Sequence, residues 1–200
     1  MTHKFNLEHA ERLEQPDRLA LFHPDLFLRQ VTLPPAPVLA DIGTGTGFYL
    51  PILSRWAGPA GMVWALDTQS EAVARARQKV RDLGLTNVEV AASRESELPL
   101  PDDSVDFALL AFVFHELERP EELLAELRRV MRADGRLGLV EWTKAERDKG
   151  PPPSEIPDPE AMRAMFARQG WREQWADTSG NYCHLFLFNL DPRRDAMLPE

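Results

Sequence analysis

The chain has 200 residues, a net charge of −9 and a single cysteine. That length suits one domain able to bury roughly 70% of its unfolded surface, and one thiol excludes a disulfide framework or a cysteine-built metal centre. The 23 basic residues are spread through helical runs such as VARARQKVRDL and ELRRVMRADGR, so the acidic balance argues against nucleic acid and for a small-molecule partner.

Residues 6–31 read as short helices, with Asp17 and Pro24 as start signals. The polar N-terminus lacks a signal-peptide core. No apolar run reaches the roughly 18 residues of a membrane span, and a cytoplasmic protein is expected. TLPPAP separates this preface from the core. PVLAD is a short buried strand, and FYLPILSRWAG a helix with Pro51 in its first turn and Gly58 beyond its end. GMVWALD is a second strand. In SEAVARARQKVRDLG, Val73, Ala76, Val80 and Leu83 share a face, Ser70 is the candidate N-cap and Gly84 the stop. NVEVAA is a third strand, and the apolar SVDFALLAFVF suits a central parallel strand. PEELLAELRRVMRADG predicts a helix from Pro120 to Gly135, followed by the strand RLGLVEW. DPEAMRAMFARQG is a helix capped by Asp158 and ended by Gly170. WREQWAD and CHLFLFNL form a closing antiparallel hairpin, the second holding Cys183 as a buried structural thiol.

Alternating strands and helices predict a Rossmann-like, doubly wound α/β fold. Its mostly parallel seven-stranded sheet carries an antiparallel C-terminal edge hairpin and a helical N-terminal preface. The single domain spans 1–200: a lid in 1–35, a cofactor core in 36–142, a loop or second lid in 143–157, and a terminal helix and hairpin in 158–200. Ligands of such sheets sit beyond the carboxyl ends of the strands.

The loop Asp41-Ile42-Gly43-Thr44-Gly45-Thr46-Gly47 falls at such an end. Its third glycine comes one position earlier than in the dinucleotide pattern G-x-G-x-x-G. Asp41 is poorly placed for a pyrophosphate and well placed for a cation. S-adenosylmethionine carries one: its ammonium would meet Asp41 and its carboxylate the loop N–H groups. A plain glycine turn with a capping aspartate is the competing reading. Asp67 ends the second strand 20 residues after Gly47, the spacing at which an acidic side chain meets ribose hydroxyls.

Four runs in order, VLADIGTGTG, ALD, SELPLPDDSVDFALLAFVFHEL and PEELLAELRRVMRADGRLGLVEW, resemble class I S-adenosylmethionine-dependent methyltransferases. The group looked most like is that of the ubiquinone/menaquinone-biosynthesis C-methyltransferases. The resemblance covers residues 36–142. It implies that S-adenosyl-L-methionine is converted to S-adenosyl-L-homocysteine, with Asp41, Gly43, Thr44 and Gly45 at the methionine end. Asp67 would hold the ribose and Thr68 lie against the adenine. AASRES replaces the acidic or amide residue common in relatives, so Ser93, Arg94 or Glu95 would contact the adenine by side chain or backbone. Ala111 and Phe112 would lie near the sulfur.

His115, in FVFHEL, is the candidate general base, and Glu141, in LVEW, would orient the substrate or His115. A backbone-satisfied histidine and a solvent-facing glutamate are the competing readings. Phe5, Phe22, Phe48, Tyr49 and Trp142 are candidate cavity walls, Phe22 and Tyr49 foremost, and Tyr49 is also expected at the cofactor. The expected acceptor is a small molecule with a carbon, oxygen or nitrogen nucleophile, and the expected assembly a homodimer. A dinucleotide-dependent oxidoreductase and a non-catalytic cofactor-binding protein are the alternatives.

Overall fold

A computed structural model describes residues 14, 17–147 and 150–191. Seven strands form one sheet: β1 (Val38–Ile42), β2 (Met62–Asp67), β3 (Val88–Ala92), β4 (Val105–Ala111), β5 (Met131–Trp142), β6 (Trp171–Asp177) and β7 (Cys183–Leu190), in the order β3-β2-β1-β4-β5-β7-β6. The first five strands run parallel. β7 is antiparallel to both β5 and β6, so the last strand of the chain inserts inside the sheet and β6 takes the edge. The strand order reverses between β1 and β4, which places the ligand crevice at their carboxyl ends.

Among the described residues, six α-helices cover the sheet: α1 (Asp17–Leu21), α2 (Asp25–Leu28), α3 (Leu50–Ala57), α4 (Ser70–Asp82), α5 (Pro120–Val130) and α6 (Pro159–Arg168). β4 is buried along its whole length, as a strand covered on both faces must be. One face packs Leu123, Leu124 and Leu127 of α5 with Met162 and Phe166 of α6. The other packs Leu50 and Leu53 of α3 with Phe22 and Phe27 of the preface. Gly138 makes room for that preface: a Cβ there would stand 2.8 Å from the Phe27 ring. Cys183 is buried, and its Sγ donates to the Leu21 carbonyl at 3.1 Å, tying β7 to α1. Among the described residues, no helix is long and apolar enough to cross a membrane.

Three local expectations are corrected. The helix expected to end at Gly135 ends at Val130, because Met131 leaves it to pair with Val105 at the start of β4. Arg132 then clamps the Asp106 carboxylate at 2.7 and 2.8 Å, and Asp106 accepts the Val38 N–H. Tertiary pairing overrides the helical propensity of RRVMRAD. Ser70 is the first residue of α4 rather than its cap; the cap is Gln69, and it makes no side-chain capping bond. The α4 stripe also stops short, since Leu83 lies past the helix end and is 54% exposed.

Candidate functional site

The ends of β1, β2, β4 and β5 converge on a cavity of about 520 Å³, a size that suits a cofactor with room beside it. The wall brings together all twelve residues expected at the cofactor: Asp41, Gly43, Thr44, Gly45, Tyr49, Asp67, Thr68, Ser93, Arg94, Glu95, Ala111 and Phe112. His115 lies on the same wall and Glu141 directly behind it.

The glycine turn is built by backbone bonds. Gly43 and Thr44 N–H both donate to the Leu66 carbonyl, Gly45 N–H to Asp67 Oδ2 at 2.8 Å, and Gly47 N–H to Thr44 O. Gly43 adopts φ +71°, and a Cβ there would meet Val113 at 2.6 Å. Only glycine lets the loop after β4 approach so closely. These bonds correct one expectation: four of the five N–H groups in residues 43–47 are engaged within the fold and do not await a carboxylate. Thr46 keeps a buried hydroxyl without a partner.

Asp41 is 2% exposed and accepts one side-chain bond, from Thr44 Oγ1 at 2.7 Å. Burial pushes its carboxyl up to about 6; the Thr44 bond and the Arg18 charge oppose the rise, and neighbouring Asp67 adds to it. A buried carboxylate in this state favours an incoming cation. Asp67 uses one lone pair of each oxygen on a backbone N–H, of Gly45 and of Gln69 at 2.9 Å. Each oxygen therefore keeps a free position for a ribose hydroxyl. Two of the adenine-side candidates are turned to other tasks. Arg94 pairs with Glu97 at 2.7 Å, and Glu95 accepts the Arg119 N–H at 2.6 Å at the start of α5. Ser93 lies on the cavity wall, its N–H donating to Asp67 O.

At the other end, Glu141 is fully buried and receives three donors. They are the His115 backbone N–H at 2.9 Å, the Trp142 N–H at 2.7 Å and the His115 ring, whose Nδ1 lies 2.9 Å from Oε1. The solvent-facing reading of Glu141 is thereby excluded. With Nδ1–H committed to Glu141, the His115 lone pair resides on Nε2, which lies 3.8 Å from Glu116. Burial alone would depress the imidazole; the hydrogen bond and charge of Glu141, with Glu116 and Glu155, outweigh it and hold it above its ordinary range. Phe112, at φ +62°, packs its ring against Trp142, tilted by 39° with centroids 4.5 Å apart, and closes this end.

The aromatic wall differs from expectation at one position. Tyr49, Phe48 and Trp142 line the cavity, while Phe22 stands behind Tyr49 as core, rings 5.6 Å apart. Phe5 lies outside the described residues. Contributors that went unread in the sequence include Arg18 on α1, Val113 beside Gly43, and Glu155 beyond the Pro-rich loop.

Comparison with known proteins agrees with this geometry. Residues 40–139 match a family described as a methyltransferase domain. A SAM-dependent methyltransferase from Aquifex aeolicus is 42% identical and superposes with a TM-score of 0.88, over 94% of this chain and all (100%) of that one. A type 11 methyltransferase from Sulfolobus solfataricus, described as putative, shares the fold at 24% identity and a TM-score of 0.68, over 89% of this chain and 93% of that one. The ubiquinone/menaquinone biosynthesis C-methyltransferase UbiE of Burkholderia mallei is 30% identical over 117 residues, covering 58% of this chain and 48% of the relative. The chain thus spans about half the length of the curated relatives it matches.

Proposed function

The chain belongs to the methyltransferase domain family and is a class I S-adenosylmethionine-dependent methyltransferase; from that premise we propose that it methylates a small, proton-bearing, uncharged or cationic acceptor placed at His115. The His115–Glu141 pair on the cavity wall carries this reading.

The residues present fit the cofactor. Asp41 offers an unneutralised buried carboxylate to its ammonium, and Asp67 offers free acceptor positions to its ribose. The glycine turn bares backbone, and Thr68 and Ser93 flank the adenine side. Bound S-adenosylmethionine supplies a methyl group on a sulfonium that leaves as a neutral thioether. The chain must then align the acceptor, exclude water and remove a proton. Glu141 fixes the His115 tautomer and orientation, and Nε2 takes the acceptor's proton. Phe112 and Trp142 wall off this end, and Gly150, Pro151, Pro152 and Glu155 line it from the Pro-rich segment.

Charge selects among acceptors. Glu116 and Glu155 line the His115 end, with Glu141 behind. The Arg147 guanidinium lies over Trp142 and donates to the carbonyls of Thr143, Ala145 and Pro151, with its Nε buried and unpartnered, so one cation stands against three carboxylates. An anionic acceptor meets repulsion there. We further propose that the protein works in the cytoplasm and that α1, whose Asp17, Arg18 and Leu21 line the cavity, covers it.

The test is transfer of a labelled methyl group to matched sets of phenols, amines, carboxylates and phosphate esters, with His115→Gln alongside. Transfer to phenols or amines that collapses in the variant supports the proposal. Preference for the anionic set, or equal rates in the variant, overturns it.

A further inference from the structure

Arg18 brings a cation to the methionine end of the cavity. It is on α1, in the preface, and lines the cavity with Asp17 and Leu21. Its guanidinium carbon lies 5.5, 5.3 and 5.6 Å from the ring centroids of Phe48, Tyr49 and Phe112. Its Nε donates to the Tyr49 hydroxyl at 3.3 Å. Its charge reaches Asp41 closely enough to oppose the upward push on that carboxyl. Among the described residues it makes no ion pair, and its two terminal nitrogens have no hydrogen-bond partner. Three rings orient this guanidinium, and its fork is left uncommitted.

The glycine turn presents the complementary deficit. A loop before a helix ordinarily holds an anion through its N–H groups. Here Gly43, Thr44, Gly45 and Gly47 have given theirs to Leu66, Asp67 and Thr44. A zwitterionic ligand whose ammonium pairs with Asp41 still needs a partner for its carboxylate, and the turn has little left to give. Arg18 matches that need in charge and position, and a guanidinium fork suits a carboxylate.

We propose that Arg18 binds the carboxylate of the cofactor's methionine end, completing with Asp41 a two-point clamp on its zwitterion. This rests on the cofactor reading of the cavity. The clamp also joins the preface to the core: α1 acquires an ionic contact only when ligand is present. Cofactor binding then holds the cover down.

The experiment is calorimetric titration of wild type, Arg18→Met and Arg18→Lys with two ligands: S-adenosylmethionine and its decarboxylated analogue, which keeps sulfonium and ammonium but lacks the carboxylate. Thermal unfolding of each unliganded variant checks that it folds. Wild type should prefer the carboxylate-bearing ligand by roughly 10- to 100-fold, the range of a charged hydrogen-bonded pair. Arg18→Met should bring the two ligands within about twofold of each other by weakening only the first, since the second lacks the pair. Arg18→Lys keeps the charge without the fork and should lie between. Equal weakening of both ligands in a folded Arg18→Met variant would make Arg18 a packing residue and overturn the proposal, as would unchanged discrimination. A wild type that binds neither ligand fails differently, because the cofactor assignment of the cavity falls first.

Discussion

Two buried carboxylates close neighbouring parts of the same sheet and have opposite surroundings. Asp41, on β1, accepts one hydroxyl and is pushed up to about 6 by burial. Glu141, on β5, accepts three N–H donors and lies behind a histidine. The first is a charge prepared for a ligand's cation. The second is satisfied by its own chain and serves by holding an imidazole. Identical burial therefore says little about role; the donors each carboxylate already has decide it. The contrast also divides the cavity into a binding end, built by β1 and β2, and a proton-handling end, built by β4 and β5.

The largest expected effect breaks the proton-handling end alone. His115→Gln should slow methyl transfer to a proton-bearing acceptor by roughly 100- to 10,000-fold and leave cofactor affinity within about twofold. Single-turnover rates and calorimetry measure the two separately, and a matching loss of cofactor binding would erase the division. Glu141→Gln sharpens the same end through pH. Glu141 raises the His115 pKa against its burial, and proton removal requires neutral His115. The acid limb of kcat/KM should lie above the ordinary histidine range in wild type and move to lower pH in the variant. A limb that stays in place would deny Glu141 its positioning role.

At the binding end, Asp41 makes a stability prediction. Its folded carboxyl titrates at about 6 against an ordinary 3.8. A raised folded value means that folding favours the neutral form, so this contribution is complete below about pH 3.8 and gone above about 6. Unliganded Asp41→Asn should exceed wild type by up to roughly 3 kcal/mol above pH 6, the gap closing as pH falls toward 4. Denaturant unfolding across that range checks it; a gap independent of pH would contradict it. The smallest effect is Gly43→Ala. With φ at +71° and Val113 at 2.6 Å, it should lower stability by roughly 1–2 kcal/mol from backbone strain, with further loss as Val113 shifts. Unchanged unfolding would show that the loop relaxes freely.

Much of this was legible in the sequence where one residue's chemistry suffices. VLADIG and MVWALD show strands with an aspartate at or next to their ends, and their parallel pairing brings Asp41 and Asp67 to one crevice. WREQWAD and CHLFLFNL read as strands with the observed bounds. The sequence was silent where role depends on pairing between distant segments. RRVMRAD reads as helix until Met131 finds Val105. Phe22 and Tyr49 are alike by composition, yet one faces Phe27 in the core and the other the cavity. Arg18 looks like any solvated helix cation until packing carries it over three rings from two other segments. Glu141 is defined by a histidine 26 positions away.

The most direct test of this account is calorimetric titration of S-adenosylmethionine into wild type and Asp41→Ala, with NADH as the competing ligand. The account predicts micromolar binding of S-adenosylmethionine to wild type, weakened by roughly 100-fold or more when the buried carboxylate is removed, and no binding of NADH. Equal affinity in the two proteins, or binding of NADH in its place, would contradict the assignment of Asp41 as the cation partner around which the site is built.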